Sequence, residues 1–316
     1  MISPLRQRLL LLCALLLVAA CQSDSRIIVL GDDHRTHANT VTFRDEGGYD
    51  GHQETCHFQP SQVLPSRPVE GCNIPKRYSV RGVKGLPEAV AAAIANSGYD
   101  MNALRERVDQ VVLHFDVCGC SKQCFKVLHD VRGLSCHFLL DLDGTIYQTL
   151  DLEHRARHAT KANDRSIGIE IAHMGAYADP EMLKTWYQPD ERGRVVFRLP
   201  KALGDGGVRT PDFVARPARE GIFEGVVNGQ RLYQYDFTEE QYQSLEALLP
   251  ALASIFPRIA PVVPRDESGQ PTFEVMEPKV FDEFQGVLGH YHVQRNKSDP
   301  GPAMDWERIA QSLERQ

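Results

Sequence analysis

The stretch Gly289-His290-Tyr291-His292-Val293-Gln294-Arg295-Asn296-Lys297-Ser298-Asp299-Pro300-Gly301-Pro302 crowds imidazole, ammonium and carboxylate groups into one short polar segment. Neutral imidazole nitrogen and carboxylate oxygen are good Zn²⁺ ligands, and a catalytic zinc takes three protein ligands and keeps a fourth position for water. An imidazole and a carboxylate from this stretch leave one ligand to find, at the end of a strand that a compact fold can bring alongside. Val111-Val112-Leu113-His114 supplies it, because the apolar run reads as a buried strand over 110–115 with His114 near its end.

Working outward, the pattern continues as one mixed α/β domain. Residues 87–96 are Ala-rich, with Pro87 at a first helical turn and Gly98 just past the end, which predicts a helix. Residues 121–131 suit another. Two apolar strands, 136–141 and 145–150, flank Asp143-Gly144, a strong hairpin signal. In 166–172 the residues Ile167, Ile169 and Ile171 alternate onto one face, which leaves Glu170 on the other, open to a site. Thr238-Glu239-Glu240-Gln241 matches a capping box that opens a long helix with Leu245, Leu248, Leu249 and Leu252 on its buried side, and Pro250 is expected to kink or interrupt it. Residues 305–313 close the chain as an amphipathic helix. Strands in the middle with helices before and after predict a mixed central β-sheet flanked by α-helices.

His114, His290 and Asp299 together resemble the ligand set of the zinc N-acetylmuramoyl-L-alanine amidases, the amidase-2 group that includes AmpD-like enzymes, T7-type phage lysozyme and the peptidoglycan recognition proteins. Ser166-Ile167-Gly168-Ile169-Glu170 resembles the segment that carries the catalytic Glu in AmpD-like members, and Lys297 stands two residues before the acidic ligand as it does there. The resemblance spans residues 110–172 and 237–313. It implies the same mixed-sheet fold and Zn²⁺ held by His114, His290 and Asp299. It also implies hydrolysis of the amide between N-acetylmuramic acid and L-alanine in peptidoglycan or muropeptides, with Glu170 moving the protons and Lys297 stabilising the oxyanion. Gly289 before His290 favours that histidine over His292 as the ligand. His158 and Asn163 match positions near the substrate cleft of relatives. Where T7-type members carry a catalytic Tyr, this chain has Cys136, which is read as structural. The alternative is a wall-binding module of the same fold that holds peptidoglycan without cutting it. Such relatives usually lose a zinc ligand, whereas all three are present here. A monomer is expected.

The N-terminus bears on location. Arg6 and Arg8 precede an apolar run over 9–20, too short for a comfortable membrane span, which reads as a secretory signal. The run ends Val18-Ala19-Ala20-Cys21, resembling a bacterial lipoprotein cleavage box with Cys21 as the lipidated first residue. Gln22 rather than Asp after it implies outer-membrane retention facing the periplasm. Domain boundaries are therefore placed at 1–20 for the signal, 21–80 for a tether and irregular extension rich in turn formers, and 81–316 for the amidase-like domain, interrupted by an insertion over 173–236. Loss of the signal takes the formal charge from −7 to −9, with 33 basic side chains against 42 acidic. That balance argues against a nucleic-acid partner, which needs clustered Lys and Arg.

An exported location permits disulfides. Peptidoglycan recognition proteins often have a cystine with the spacing of Cys118 and Cys124 just after the first ligand strand, which favours that pair; Cys56 with Cys72 comes next. The sequence leaves the connectivity open. The insertion holds Trp186, Tyr187, Phe197, Phe213, Phe223 and Tyr233 among many Gly, Pro and Arg residues, and it follows directly on the Glu170 strand. A lid over the substrate groove is expected, stacking aromatic faces on sugars and offering Arg to stem-peptide carboxylates. The plainer alternative is a structural wrap.

Overall fold

A computed structural model describes residues 25–58 and 77–314. Its centre is a six-stranded sheet built from β1 (Thr40–Thr42), β2 (Gln110–Phe115), β3 (Phe138–Leu140), β4 (Ile146–Gln148), β5 (Ser166–Ile171) and, beyond the insertion strands β6 (Ile222–Val227) and β7 (Gln230–Tyr235), β8 (Gly286–Gly289). The spatial order is β8-β2-β5-β3-β4-β1. Every neighbouring pair is parallel except β3 with β4, the hairpin turned at Asp143-Gly144. The mixed sheet with flanking helices is the fold class expected from the sequence.

Alternation sorts the two faces. Val111, Leu113 and Phe115 of β2 and Ile167, Ile169 and Ile171 of β5 share one core with the helices α1 (Glu239–Ile255) and α2 (Trp306–Glu314). Val112 goes to the other face, where it packs with Leu288, Ala159, Ala162 and Phe281. His114 and Glu170 share that second face, away from α1 and α2. The capping box forms as read: Thr238 Oγ1 accepts from Gln241 N at 3.1 Å, and Gln241 Oε1 accepts from Thr238 N at 2.9 Å.

Two expectations are corrected. The helix is not interrupted at Pro250; α1 runs through it to Ile255. A proline inside a helix costs about 3 kcal/mol, whereas burying Leu245, Leu248, Leu249 and Leu252 contributes roughly 1.5–3 kcal/mol each, so packing wins. The extension over 21–80 is also not irregular throughout its described residues. Arg26–Val29 pairs with Asp32–Arg35, Ile27, Ile28 and Val29 are fully buried, and β1 joins the sheet edge. The run Ile27-Ile28-Val29-Leu30-Gly31 is short, and its neighbours are turn formers, which hides it from a periodicity reading.

Candidate metal centre and catalytic cleft

Register builds the site. β2 and β5 pair with His114 opposite Glu170, and β8 pairs with β2 so that Gly289 stands opposite Leu113. Opposed residues of a parallel pair face the same way, so the strand ends carry Glu170, His114 and then His290 in one row. These are the carboxyl ends of parallel strands, where open α/β sheets place their ligand sites. Asp299 reaches the row from the loop that follows, tied back by Tyr291 N donating to Asp299 O at 3.1 Å.

The donor atoms converge. Nδ1 of His114 and Nδ1 of His290 lie 2.7 and 2.9 Å from the same oxygen, Oδ2 of Asp299, and the three side chains offer ligand atoms within 4.8 Å of one another. On the far side of each ring, His114 Nε2 meets His158 Nδ1 at 3.0 Å, His158 Nε2 meets Ser166 Oγ at 3.2 Å, and His290 Nε2 meets Gln294 Oε1 at 2.9 Å. With the proton of each ring on Nδ1, both rings donate to Asp299; with it on Nε2, each ring donates outward instead and both Nδ1 lone pairs aim at a carboxylate oxygen. Two lone pairs and an anion in buried surroundings repel unless a cation lies among them. The residues therefore fit a divalent metal of zinc type, with the outer hydrogen bonds fixing ring orientation. Burial, with His290 alongside, lowers the proton affinity of His114 to a pKa of about 4, so it is the neutral imidazole a metal requires. Burial works against the charged form of Asp299, yet with the two imidazoles donating to it the carboxyl is held well below the usual carboxylate range.

Around these ligands lies a cleft of about 200 Å³, lined among others by Asp116, Val117, Arg132, Arg157, His158, Glu170 and Lys297. Burial pushes the Glu170 carboxyl well above its ordinary range, and Asp299 and Asp116 push the same way while Lys297 and Arg132 oppose. Asp116 Oδ1 accepts the amides of Cys118, Gly119 and His173 at 2.8, 3.0 and 3.0 Å, stitching the loop after β2 to the start of the insertion. Burial nevertheless raises its pKa to about 7. Val117, on that loop, is half exposed at φ 52°, a left-handed conformation that is a genuine outlier for a β-branched residue. Gly168 is required beneath the cleft: a Cβ there would come within 2.6 Å of His158 Nδ1 and 2.8 Å of Cys136 Sγ.

Of the residues named from sequence, His114, His290, Asp299, Glu170, Lys297 and His158 meet at this cleft. His292 does not. Its Nδ1 accepts from Gly289 N at 2.9 Å and its Nε2 bonds Thr272 O at 2.9 Å, so both nitrogens are committed to backbone. Asn163 does not itself line the cleft but stands behind it: it is buried, and its Oδ1 accepts from His158 N at 3.1 Å and Ala159 N at 2.6 Å, fixing the turn that carries His158. Cys118 and Cys124 are free thiols rather than a disulfide. They are hydrogen-bonded neighbours, but Cys124 packs with Tyr49, Phe125 and Cys136, and burial keeps its thiol protonated and so unreactive in exchange. Cys136 is buried with its thiol pushed well up, as a structural cysteine should be. Cys56 is disulfide-bonded; its expected partner Cys72, like Cys21 and the signal, lies outside the described residues. The aromatic lid is not there. Trp186, Tyr187, Phe197 and Phe213 pack with Leu142, Ala172 and Met174 in a cluster of their own, and no residue of the insertion lines the cleft. Gln294, Ser166 and Asp116 are roles the sequence reading missed.

The family described as N-acetylmuramoyl-L-alanine amidase, amidase-2, matches residues 104–302. No curated protein sequence matches the chain. Among solved structures, a selenomethionine AmpD derivative is 17% identical over 76% of this chain and 92% of its own, with a TM-score of 0.35. AmpDH3 from Pseudomonas aeruginosa, in complex with anhydromuramic pentapeptide, is 21% identical over 65% of this chain and 60% of its own, at 0.36. The N-acetylmuramyl-L-alanine amidase AmiD from E. coli, in complex with anhydro-N-acetylmuramic acid-L-Ala-D-gamma-Glu-L-Lys, is 18% identical over 65% of this chain and 57% of its own, at 0.37. At such scores the fold assignment rests on the strand order given above.

Proposed function

We propose that this chain, which belongs to the N-acetylmuramoyl-L-alanine amidase family, is a zinc-dependent hydrolase of the amide bond between N-acetylmuramic acid and L-alanine in peptidoglycan or muropeptides, working as an exported protein anchored by lipid on Cys21 to the outer membrane. The observation that carries the catalytic part is the convergence of two imidazole Nδ1 atoms on the Asp299 carboxylate, with Glu170 and Lys297 lining the same cleft.

His114, His290 and Asp299 would hold the ion. Bound there, zinc supplies Lewis acidity toward a carbonyl oxygen and makes water a better nucleophile near neutral pH. The remaining chemistry belongs to side chains. Glu170, whose burial gives it a raised proton affinity, takes a proton from the attacking water and passes it to the nitrogen of the departing L-alanine. Lys297 places an ammonium toward the oxygen that gains negative charge as the lactyl carbonyl becomes tetrahedral. Arg132 and Arg157 line the cleft as well, and guanidinium groups suit the carboxylates of a stem peptide. The chain retains every group that a binding module of this fold could dispense with, which favours catalysis over recognition alone.

The anchoring part is supported by the run over 9–20 ending at Cys21; no helix among the described residues is long and apolar enough to cross a membrane. The purified protein incubated with muropeptides should release peptides with a free L-alanine amino group and lactyl sugars, read by mass spectrometry. Products cut within the peptide or the glycan, or intact muropeptide retained on the protein, would refute the activity. Membrane fractionation of a Cys21→Ala variant should find it released; sedimentation with membranes would refute the anchor.

A further inference from the structure

The loop that carries Lys297 and Asp299 has little holding it from within. Gln294 N bonds His290 O at 3.0 Å, Lys297 N bonds Gln294 O at 3.1 Å, and Tyr291 N bonds Asp299 O. What fixes it comes from the insertion. Asn228 stands at the tip of the β6–β7 hairpin, and its Nδ2 faces three carbonyls of the loop: Tyr291 O at 3.1 Å, Lys297 O at 3.2 Å and Gln294 O at 3.5 Å. Its Oδ1 accepts from Val275 N at 2.7 Å, and its own N–H bonds Phe273 O at 3.1 Å. At the other end of the same hairpin the buried Gln234 donates from Nε2 to Pro300 O and accepts at Oε1 from Ala303 N, both at 3.1 Å. Between them Gly225 lies against Pro302, where a Cβ would come within 2.6 Å of the proline ring.

The hairpin therefore grips the loop on both shoulders, before Lys297 and after Asp299. We infer that β6–β7 is a bracket for the site, with Asn228 and Gln234 as positioning residues that set where the Lys297 ammonium and the Asp299 carboxylate stand. The inference rests on the metal and amidase reading above, and it gives the insertion a part in the chemistry without substrate contact. The amide side chain suits the task because it donates to the loop carbonyls and accepts from Val275 at once; a carboxylate could do only the second.

Asn228-Gly229 is also a common two-residue hairpin turn, with φ 50° and 81°, so the turn by itself accounts for an Asn here. The test separates the two roles. Asn228→Asp and Asn228→Gly both suit the turn and both lose the Nδ2 donor. Each should raise the zinc dissociation constant about tenfold, the low end for loss of a group that supports a metal ligand, measured by competition with a chromophoric chelator. Each should also lower kcat on muropeptide at least about tenfold with KM within about twofold. Arg231→Ala, which removes an exposed pair with Glu224 on the same hairpin, should change neither. Wild-type zinc affinity and kcat in both Asn228 variants would overturn the bracket, as would equal losses in Arg231→Ala. The zinc measurement stands without turnover, so a wild-type protein that binds zinc but leaves muropeptide intact would fault the amidase reading and not this one.

Discussion

The cleft is made of two halves held by different means. His114 and Glu170 sit on β2 and β5, central strands whose backbones are pinned on both sides by ladder hydrogen bonds. Lys297 and Asp299 sit on a loop that borrows its restraint from side chains of a distant hairpin. A strand fixes a group through regular bonds that any residue can make. A loop needs particular residues, and each is a point of failure. His290 and His292, both on the short helix His290–Val293, show the same contrast, since one ring turns to Asp299 and the other spends both nitrogens on backbone.

The largest effect should come from setting those two histidines against each other. His290→Ala removes one of the three proposed ligands and should leave protein purified without added metal nearly free of zinc by elemental analysis, with amide hydrolysis lost. His292→Ala should keep zinc but unfold more easily, because it strands the buried Gly289 amide and the Thr272 carbonyl. Orphaned buried groups cost about 1–3 kcal/mol each, so a loss of roughly 2–6 kcal/mol in denaturant unfolding is expected. Full zinc occupancy in the first variant, or zinc loss in the second, would reverse the assignment.

The strand half was the more legible in sequence. An apolar run ending in His114 and the alternation of Ile167, Ile169 and Ile171 opposite Glu170 are periodic signals, and packing enforces them because a one-residue slip would turn every core side chain outward. His290, Lys297 and Asp299 were visible by chemical type and order. Their supports were not. Gln294, Asn228 and Gln234 act through single side-chain bonds to backbone or ring atoms far along the chain, and such bonds impose no period and no special composition. The aromatic residues of the insertion misled for the opposite reason: large apolar side chains announce burial, and they found it against Leu142, Ala172 and Met174 instead of a sugar.

A middle-sized effect should distinguish the halves by role. Glu170→Gln keeps shape and strand pairing but has no proton to give or take, so zinc should stay and kcat should fall by at least about a hundredfold, the low end for a positioned acid–base group. Lys297→Ala should also retain zinc and slow turnover, since its ammonium is not a ligand. If Glu170→Gln turns over near the normal rate, proton transfer belongs elsewhere in the cleft, and Asp116 becomes the carboxyl to examine.

The smallest effect tests whether the strand half is free of strain to its very end. Val117 follows β2 by two residues and holds φ 52° with its side chain half exposed. Strain of this kind costs on the order of 1–3 kcal/mol, while the added freedom of a glycine in the unfolded chain gives back about 0.5–1 kcal/mol. Val117→Gly should therefore be more stable than the parent by roughly 1 kcal/mol in equilibrium unfolding. Because Asp116 Oδ1 accepts the amides of Cys118, Gly119 and His173 and none from Val117 itself, the gain should appear without loss of zinc. A variant that is less stable than the parent would mean that the Val117 side chain contributes packing worth more than its backbone costs, and the strand half would then depend on its flanking loop much as Asp299 depends on the hairpin.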